Sequence, residues 1–341
     1  MTKPKILIIY TGGTIGMIKG KDGELLPFSF ENLLNYIPLL KNFPVNISSY
    51  SFEQPIDSSD ANPEFWIKLV EIISDNYDSY DGFVILHGSD TMAYTASALG
   101  FMLENLTKPV ILTGSQLPIG LLRTDGRENL IAALELASMK KNEQPLINEV
   151  CIYFENSLYR GVRTNKHSAE NFDAFISPNY PPLAKVGIDI TVFEDRLFKN
   201  KLDFLIPHKN LCKDIAILKL FPGIQPKAIQ AIMNIPELKG IVIETYGSGN
   251  APTDNTILDI LETAIKKGIV ILNITQCTVG SVNQNKYATG KTLEKIGVIG
   301  GKDMTTEAAI TKMMYLFGEN FSKNEVEKLL KLSLRGEISN Y

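Results

Sequence analysis

Short apolar runs alternate with amphipathic segments of helical period along most of the chain. Residues 6–9 (Ile-Leu-Ile-Ile) are the first such run, and the turn-forming residues around them are typical of a buried strand. Strands are predicted in the same way at 6–9, 45–52, 82–86, 110–112, 150–154, 215–220, 240–244 and 269–273. Helices are predicted at 63–77, 91–105, 226–234, 256–267, 305–318 and 323–334, and another is opened by residues 123–127 and runs to 139. This alternation predicts an α/β fold, with a larger N-terminal, mostly parallel sheet flanked by helices and a smaller C-terminal α/β domain.

The pattern also suggests where the chain divides. From 178 to 182, and again from 191 to 213, it gives way to prolines and mixed polar residues without a period. A length of 341 residues also suggests about two domains. We therefore predict an N-terminal catalytic domain at 1–186, a linker at 187–212 and a C-terminal domain at 213–341.

Composition narrows the classes of function. The formal net charge of -4 provides no basic surface for a polyanion, which argues against nucleic acid as a partner. The first apolar run is too short to span a bilayer and lacks signal-peptide features, so we expect a cytoplasmic protein without membrane contact. Three scattered cysteines and three histidines argue against a disulfide framework or a metal site and favour threonine, lysine and carboxylate chemistry.

The first predicted strand leads into residues 10–16 (Tyr-Thr-Gly-Gly-Thr-Ile-Gly). Ligands bind open α/β sheets at the carboxyl ends of their strands, and paired glycines let the backbone approach a ligand closely. Thr14 is therefore a candidate nucleophile. A nucleotide phosphate loop would also use glycines, but neither Gly-x-Gly-x-x-Gly nor Gly-Lys-Ser/Thr is present.

Two later turns place hydroxyl and carboxylate groups at the ends of strands. Asp57, Ser58 and Ser59 precede a predicted helix N-terminus, a place suited to anions, although helix capping alone would also explain the serines. Ser89 and Asp90 follow the third predicted strand. We expect these turns to face the same ligand as the first loop.

Several motifs together resemble those of the bacterial-type L-asparaginases, specifically the cytoplasmic type I branch. They are residues 10–16, 86–92 (Leu-His-Gly-Ser-Asp-Thr-Met), 112–116 (Leu-Thr-Gly-Ser-Gln), 163–166 (Arg-Thr-Asn-Lys), 246–252 (Tyr-Gly-Ser-Gly-Asn-Ala-Pro), 275–277 (Thr-Gln-Cys) and 298–305 (Val-Ile-Gly-Gly-Lys-Asp-Met-Thr). They span nearly the whole chain, and their number, order and spacing argue against coincidence.

The resemblance implies hydrolysis of L-asparagine to L-aspartate and ammonia, with no metal or organic cofactor. It implies that Thr14 is the nucleophile, that Ser89, Asp90 and Lys166 are also catalytic, and that residues 57–59 bind substrate together with Ser89 and Asp90. It also implies a homodimer or homotetramer.

The chemistry of these residue types fits the implied roles. A threonine hydroxyl needs a base, and a desolvated lysine can act as one, with Ser89 as a proton relay. Asp90 would steady Lys166 and pair with the substrate's ammonium group. Backbone N–H groups near Ser89 and Thr14 would stabilise the tetrahedral oxyanion.

Three positions depart from the family pattern. Ser89 stands where many members have threonine, and the tyrosine that relatives carry near residues 23–25 is missing. Some type I members bind an allosteric asparagine with an arginine where this chain has Glu244. Thr275 and Cys277 of that site are retained, but an acidic residue would repel the ligand's carboxylate.

Two other functions stay open on the sequence alone. One is the amide-releasing subunit of a tRNA-dependent amidotransferase, which shares this fold. The other is an amino-acid-binding sensor that has kept the pocket and lost activity. The sequence also leaves open the preference between asparagine and glutamine. His87 is expected to be a satisfied buried histidine rather than an acid or base.

Overall fold

The computed structural model divides the chain into two compact units. The first comprises residues 1–177 and 181–209, and the second comprises 178–180 and 210–341. The structure describes residues 3–19, 25–27, 37–38, 40, 43–284 and 288–339.

The first unit is built on one large sheet, whose strands we number in chain order. They are β1 Lys5–Gly12, β2 Asn46–Ile56, β3 Gly82–Leu86, β4 Val110–Thr113, β5 Val150–Phe154, β6 Ser157–Arg160, β7 Ala184–Val186 and β8 Ile190–Val192. The apolar runs predicted as strands are buried in this sheet, and β3 and β5 are buried along their whole length. Such runs become strands because both faces of a central strand are covered.

The sheet order is β8-β7-β6-β5-β4-β3-β1-β2. The first five strands of the sheet in chain order, β1 to β5, pair with one another in parallel. The remaining pairs, β5 with β6, β6 with β7 and β7 with β8, are antiparallel. The predicted mostly parallel N-terminal sheet is therefore confirmed, with an antiparallel extension at one edge. Because parallel strands end at the same edge, the turns after β1, β2, β3 and β4 lie along one side of the sheet.

Three helices connect the parallel strands of this unit: α1 Pro63–Asp75, α2 Met92–Met102 and α3 Gly126–Ser138. Helix α1 begins as the sequence predicts, because the Asn62 side chain accepts the Phe65 N–H at 3.0 Å and Pro63 occupies the first turn. Helix α2 is buried along nearly its whole length. It therefore supplies polar groups such as Thr95 to the interior.

The stretch predicted as a linker, 187–212, contributes strands. It contains β8 of the large sheet and the short strand Ile206–Pro207, which pairs with Leu103–Glu104. Its residues up to Lys209 group with the first unit. Strands of two or three residues need no long apolar run, so periodicity alone does not reveal them.

The second unit holds a four-stranded parallel sheet in the order β9-β10-β11-β12. Its strands are β9 Ile215–Lys219, β10 Gly240–Thr245, β11 Val270–Thr275 and β12 Ile299–Gly300, and its helices are α4 Pro226–Met233, α5 Asn255–Lys266, α6 Ala288–Lys295, α7 Thr306–Gly318 and α8 Lys323–Leu330. A core that includes Ile229, Ile241, Leu261 and Ile271 lies between this sheet and its helices. The smaller α/β domain expected at the C-terminal end is thus confirmed.

Short ribbons complete the first unit. They pair Met17–Lys19 with Leu25–Pro27, Lys140–Lys141 with Gln144–Pro145, and Asn165–Lys166 with Phe175–Ile176. None of the helices in the described ranges combines the length and apolar composition that a membrane span requires.

Candidate active site

Backbone packing at two glycines fixes the turn that carries Thr14. Gly12 and Gly13 have φ values of +128° and +85°, which side-chain-bearing residues rarely adopt. A Cβ atom on Gly12 would lie 2.2 Å from the carbonyl oxygen of Ile56, and one on Gly13 would lie 2.4 Å from the nitrogen of Gly88. The turn after β1 therefore touches the ends of β2 and β3 directly, backbone against backbone.

The turn after β2 is joined to the turn after β3 in a similar way. A Cβ on Gly88 would lie 2.5 Å from the hydroxyl oxygen of Ser58, which is buried. The Thr91 hydroxyl donates to the carbonyl oxygen of Ser58 at 2.6 Å. As expected for turns at one edge of a sheet, the three turns that carry the candidate residues are in contact.

Asp57 organises its own turn. Its carboxylate accepts the Ser59 N–H and the Ser59 hydroxyl, both at 2.9 Å. These two hydrogen bonds hold the pKa of Asp57 below its ordinary value. Because Asn62 caps α1, neither Ser58 nor Ser59 is needed to cap that helix, and the Ser59 hydroxyl bonds to Asp57 within the turn.

Lys166 reaches the turn after β3 from a separate ribbon. It pairs with Phe175 in the ribbon formed by Asn165–Lys166 and Phe175–Ile176. Its amine donates to the Ser89 hydroxyl at 2.9 Å and lies 2.6 Å from an Asp90 carboxylate oxygen. The Lys166 side chain is 15% exposed and that of Asp90 is 68% exposed. A mostly buried amine thus contacts a hydroxyl and an open carboxylate together.

Gln116 extends this hydrogen-bonded chain. Its side-chain oxygen accepts from the Ser89 hydroxyl at 3.1 Å, and its side-chain nitrogen donates to the carbonyl oxygen of Asn171 at 3.0 Å. The Asp125 carboxylate in turn accepts the backbone N–H of Gln116. Gln116 belongs to the motif at 112–116 but is not among the predicted site residues, although its place in the turn after a strand was an available signal.

A family model described as Asparaginase, N-terminal matches residues 5–198, and one described as Glutaminase/Asparaginase C-terminal domain matches residues 214–330. The chain belongs to the asparaginase family.

Individual members agree with this assignment. L-asparaginase 1 of Escherichia coli strain K12 is 44% identical over 343 residues, covering 99% of both chains. The crystal structure of L-asparaginase I from Vibrio cholerae superposes with a TM-score of 0.89 at 40% identity, covering 99% of this chain and 100% of that one. The 60 kDa lysophospholipase of Mus musculus is 40% identical over 98% of this chain and 62% of its own length.

In this asparaginase-family chain, Tyr10 lies beneath the turn that carries Thr14. A Cβ on Gly16 would lie 2.1 Å from the Tyr10 hydroxyl oxygen, so the ring packs directly on that glycine. Burial raises the pKa of Tyr10 to about 12, which keeps its phenol protonated at neutral pH. Relatives carry a tyrosine near positions 23–25. Residues 23 and 24 of this chain lie outside the described residues.

The second unit contains Glu244, Thr275 and Cys277, which correspond to the allosteric site of some type I members. The Thr275 hydroxyl donates to the carbonyl oxygen of Gly247 at 2.6 Å and accepts the Cys277 N–H at 3.0 Å. The Glu244 carboxylate accepts the Thr306 hydroxyl at 2.7 Å. Lys219 lies 3.3 Å from the other oxygen of Glu244. The acidic side chain is therefore already engaged by a hydroxyl and a cation.

The described ranges contain no group of three or more His, Cys, Asp and Glu side chains arranged to hold a metal ion. The three cysteines are unpaired, with Cys151 and Cys212 buried and Cys277 exposed.

Proposed function

We propose that this protein hydrolyses the side-chain amide of L-asparagine, giving L-aspartate and ammonia. The observation that carries the proposal is the contact of the Lys166 amine with both Ser89 and Asp90, in a turn that packs against the Thr14 turn. The relatives named L-asparaginase, which match over nearly the whole chain, support the same reaction.

Thr14 supplies the nucleophile in this proposal. Its hydroxyl oxygen attacks the amide carbon, while its proton passes to the Ser89 hydroxyl and on to the Lys166 amine, which acts as the base. The tetrahedral intermediate then collapses, the C–N bond breaks, and ammonia leaves with a returned proton. Water cleaves the resulting aspartyl ester and restores Thr14. The 2.9 Å contact between Lys166 and Ser89 supports this proton route.

Two turns hold the substrate. The exposed Asp90 carboxylate pairs with the substrate's ammonium group, while its contact with Lys166 keeps that amine in place. Ser58 and Ser59 supply hydroxyl groups for the substrate's carboxylate. Asp57 keeps the serine turn in shape by accepting the N–H and the hydroxyl of Ser59.

The proposed reaction also bears on the cofactor requirement, cellular location and oligomeric state of the protein. The reaction uses only side-chain and backbone groups, so we propose that it needs no metal or organic cofactor. Three unpaired cysteines support a reducing compartment and hence a cytoplasmic location. We propose an even-numbered homo-oligomer, a dimer or tetramer, which sedimentation of the purified protein would test.

The deciding experiment measures ammonia release from L-asparagine and from L-glutamine by the purified protein. We expect turnover with asparagine, a loss of about 1,000-fold or more in Thr14→Ala and in Lys166→Met, and activity retained in the matched surface control Thr191→Ala. Mass spectrometry of protein quenched during turnover should find an aspartyl group on the peptide containing Thr14.

Other outcomes would reject the proposal in distinct ways. Saturable asparagine binding without turnover would indicate an amino-acid sensor. Ammonia release that depended on a tRNA-linked partner would indicate an amidotransferase subunit. Full turnover in Lys166→Met would remove the lysine from the mechanism.

A further inference from the structure

A buried histidine outside the reacting groups is bonded to the catalytic turn. His87 follows β3 and is 1% exposed. Its Nδ1 atom lies 2.6 Å from the carbonyl oxygen of Gly88, and its Nε2 atom lies 2.9 Å from the hydroxyl oxygen of Thr95 on α2. The ring also packs against Phe65, with centroids 5.5 Å apart. Both ring nitrogens are thus occupied.

The partners fix where the ring proton sits. A carbonyl oxygen can only accept, so Nδ1 carries the hydrogen and donates to Gly88. In a neutral ring Nε2 is then an acceptor, and it takes the hydrogen of the Thr95 hydroxyl. That hydroxyl oxygen accepts from the Trp66 indole N–H at 3.0 Å. A neutral imidazole is therefore compatible with every hydrogen bond in this series, which runs from Trp66 on α1 through Thr95 on α2 and His87 to Gly88.

This series of hydrogen bonds sets the direction of the Ser89 backbone N–H. The Gly88–Ser89 peptide is trans, so its carbonyl and its N–H point in opposite directions. With the carbonyl held toward the buried imidazole, the N–H of Ser89 points away from it. Gly13 packs on the preceding peptide, against the Gly88 nitrogen and the His87 carbonyl carbon, and so holds the backbone on the other side of the Gly88 Cα.

We propose that His87 is a positioning residue, which through Gly88 aims the Ser89 N–H at the oxyanion of the tetrahedral intermediate. This rests on the proposed amide hydrolysis. The imidazole neither gives nor takes a proton during the reaction, and it does not touch the substrate. Thr95 and Trp66 act one step further back, by holding the ring in its orientation and tautomer.

Two substitutions separate this role from simple packing. In His87→Asn the side-chain amide takes the place of Nδ1 and can still donate to Gly88, whereas in His87→Gln the amide reaches toward Thr95 and leaves Gly88 without a donor. We expect His87→Gln to lower kcat by about 10- to 100-fold with KM nearly unchanged, because an oxyanion donor acts in the transition state. His87→Asn should stay within about threefold of the parent kcat. His208→Gln, at the Glu104 contact in the same unit, is the control.

A spectroscopic measurement tests the geometry without activity. In protein labelled with ¹⁵N-histidine, His87 should show the neutral tautomer protonated at Nδ1, and with three histidines in the chain its signals can be assigned by substitution. Thr95→Val should change that signature and lower kcat, while Thr95→Ser should preserve both.

The results that overturn the proposal are specific. Equal kcat in His87→Gln and His87→Asn, measured on variants of equal thermal stability, would reduce His87 to a packing residue. A ring protonated at Nε2 in the folded protein would reject the assigned geometry. Absence of asparagine turnover in the parent protein would instead defeat the proposed function, so the two failures are distinguishable.

Discussion

The Ser89 hydroxyl carries the most specific chemistry at the scale of single residues. It accepts from the Lys166 amine at 2.9 Å and donates to the Gln116 side chain at 3.1 Å. Ser89→Ala removes both contacts and the relay, so kcat for asparagine should fall by about 100- to 10,000-fold. Ser89→Thr keeps the hydroxyl and should retain most activity. Steady-state ammonia release measures both, and an active Ser89→Ala would route the proton elsewhere.

His87 also makes folding depend on pH. Burial lowers the pKa of His87 to about 4 from its ordinary 6.5, so between these values the unfolded chain binds a proton that the folded chain does not. The contribution of the neutral ring to the free energy of unfolding is therefore present above about pH 6.5 and is lost as the pH falls toward 4. The free energy of unfolding should drop by about 2 kcal/mol between pH 7 and pH 5 from this group.

Urea unfolding at those two pH values measures the loss. The matched variant is His87→Asn, which keeps the Gly88 contact but does not titrate there. The difference in unfolding free energy between parent and variant should shrink at the lower pH. A constant difference would show that the folded-state pKa of His87 is not lowered.

Single residues also show where sequence reasoning stops. The turns after predicted strands indicate Thr14, Ser89 and Asp90 as site candidates, and the resemblance adds Lys166 and the catalytic roles. No spacing rule indicates that the Lys166 amine lies 2.9 Å from the Ser89 hydroxyl oxygen. That contact depends on a two-residue ribbon too short to give a periodic signal.

At the scale of elements, close backbone contact should make Gly13 sensitive to substitution. Alanine there would combine an unfavourable φ of +85° with a Cβ 2.4 Å from the Gly88 nitrogen. Gly223 has a φ of +89° but nothing within 4 Å of an added Cβ, so it controls for backbone conformation alone. Gly223→Ala should cost roughly 1 kcal/mol of stability and leave activity intact.

Gly13→Ala should cost more stability and lower kcat/KM by about 100-fold or more, since it separates the Thr14 turn from the β3 turn. Thermal unfolding and ammonia release measure the two effects. If both alanine variants behaved alike, conformation alone would explain the requirement for glycine.

The start of α2 gives a second prediction at this scale. Thr91 occupies the N-cap position, yet its hydroxyl makes no capping bond and donates instead to Ser58. Thr91→Val should therefore release the substrate-binding turn, raising KM for asparagine about 10-fold with kcat little changed, while Thr91→Ser should match the parent. A fall in kcat without a change in KM would contradict this role.

Elements with long apolar runs were predictable, and short ones were not. Val150–Phe154 was predicted with its observed bounds because all its residues are buried. Ala184–Val186 and Ile190–Val192 were missed because each has three residues and is partly exposed. Helix Ala288–Lys295 is polar in sequence and gave no apolar period. Burial thus decides which elements a sequence reveals.

Across the whole molecule, each unit contains a buried ion pair that composition did not indicate. Glu149 and Arg160 pair at 2.5 Å in the first unit, and Lys312 and Glu337 pair at 2.6 Å in the second. Glu149 and Arg160 lie on the two sides of the β5–β6 hairpin, whereas Lys312 on α7 meets Glu337 beyond α8. No hydrophobic period marks which charged residues pair, so the partners could not be matched from sequence. Charged side chains are rarely fully buried unless paired, which makes both positions sensitive to single substitutions.

The second of these pairs should make its unit sensitive to the loss of either partner. Lys312 and Glu337 are both 0% exposed, and the Lys312 amine also donates to the carbonyl oxygen of Leu332, so Lys312→Met leaves a buried carboxylate without its cation. Unfolding free energy should fall by about 3–5 kcal/mol. The surface pair of Lys266 and Glu262 is the matched control, and Lys266→Met should cost about 0.5 kcal/mol or less.

Far-UV circular dichroism during urea unfolding is the suitable measurement, because the single tryptophan, Trp66, lies in the first unit and would miss this change. Adding Glu337→Gln to Lys312→Met should recover part of the loss, since it removes the unpaired charge. Equal losses in Lys312→Met and Lys266→Met would mean that water or rearrangement compensates the buried carboxylate.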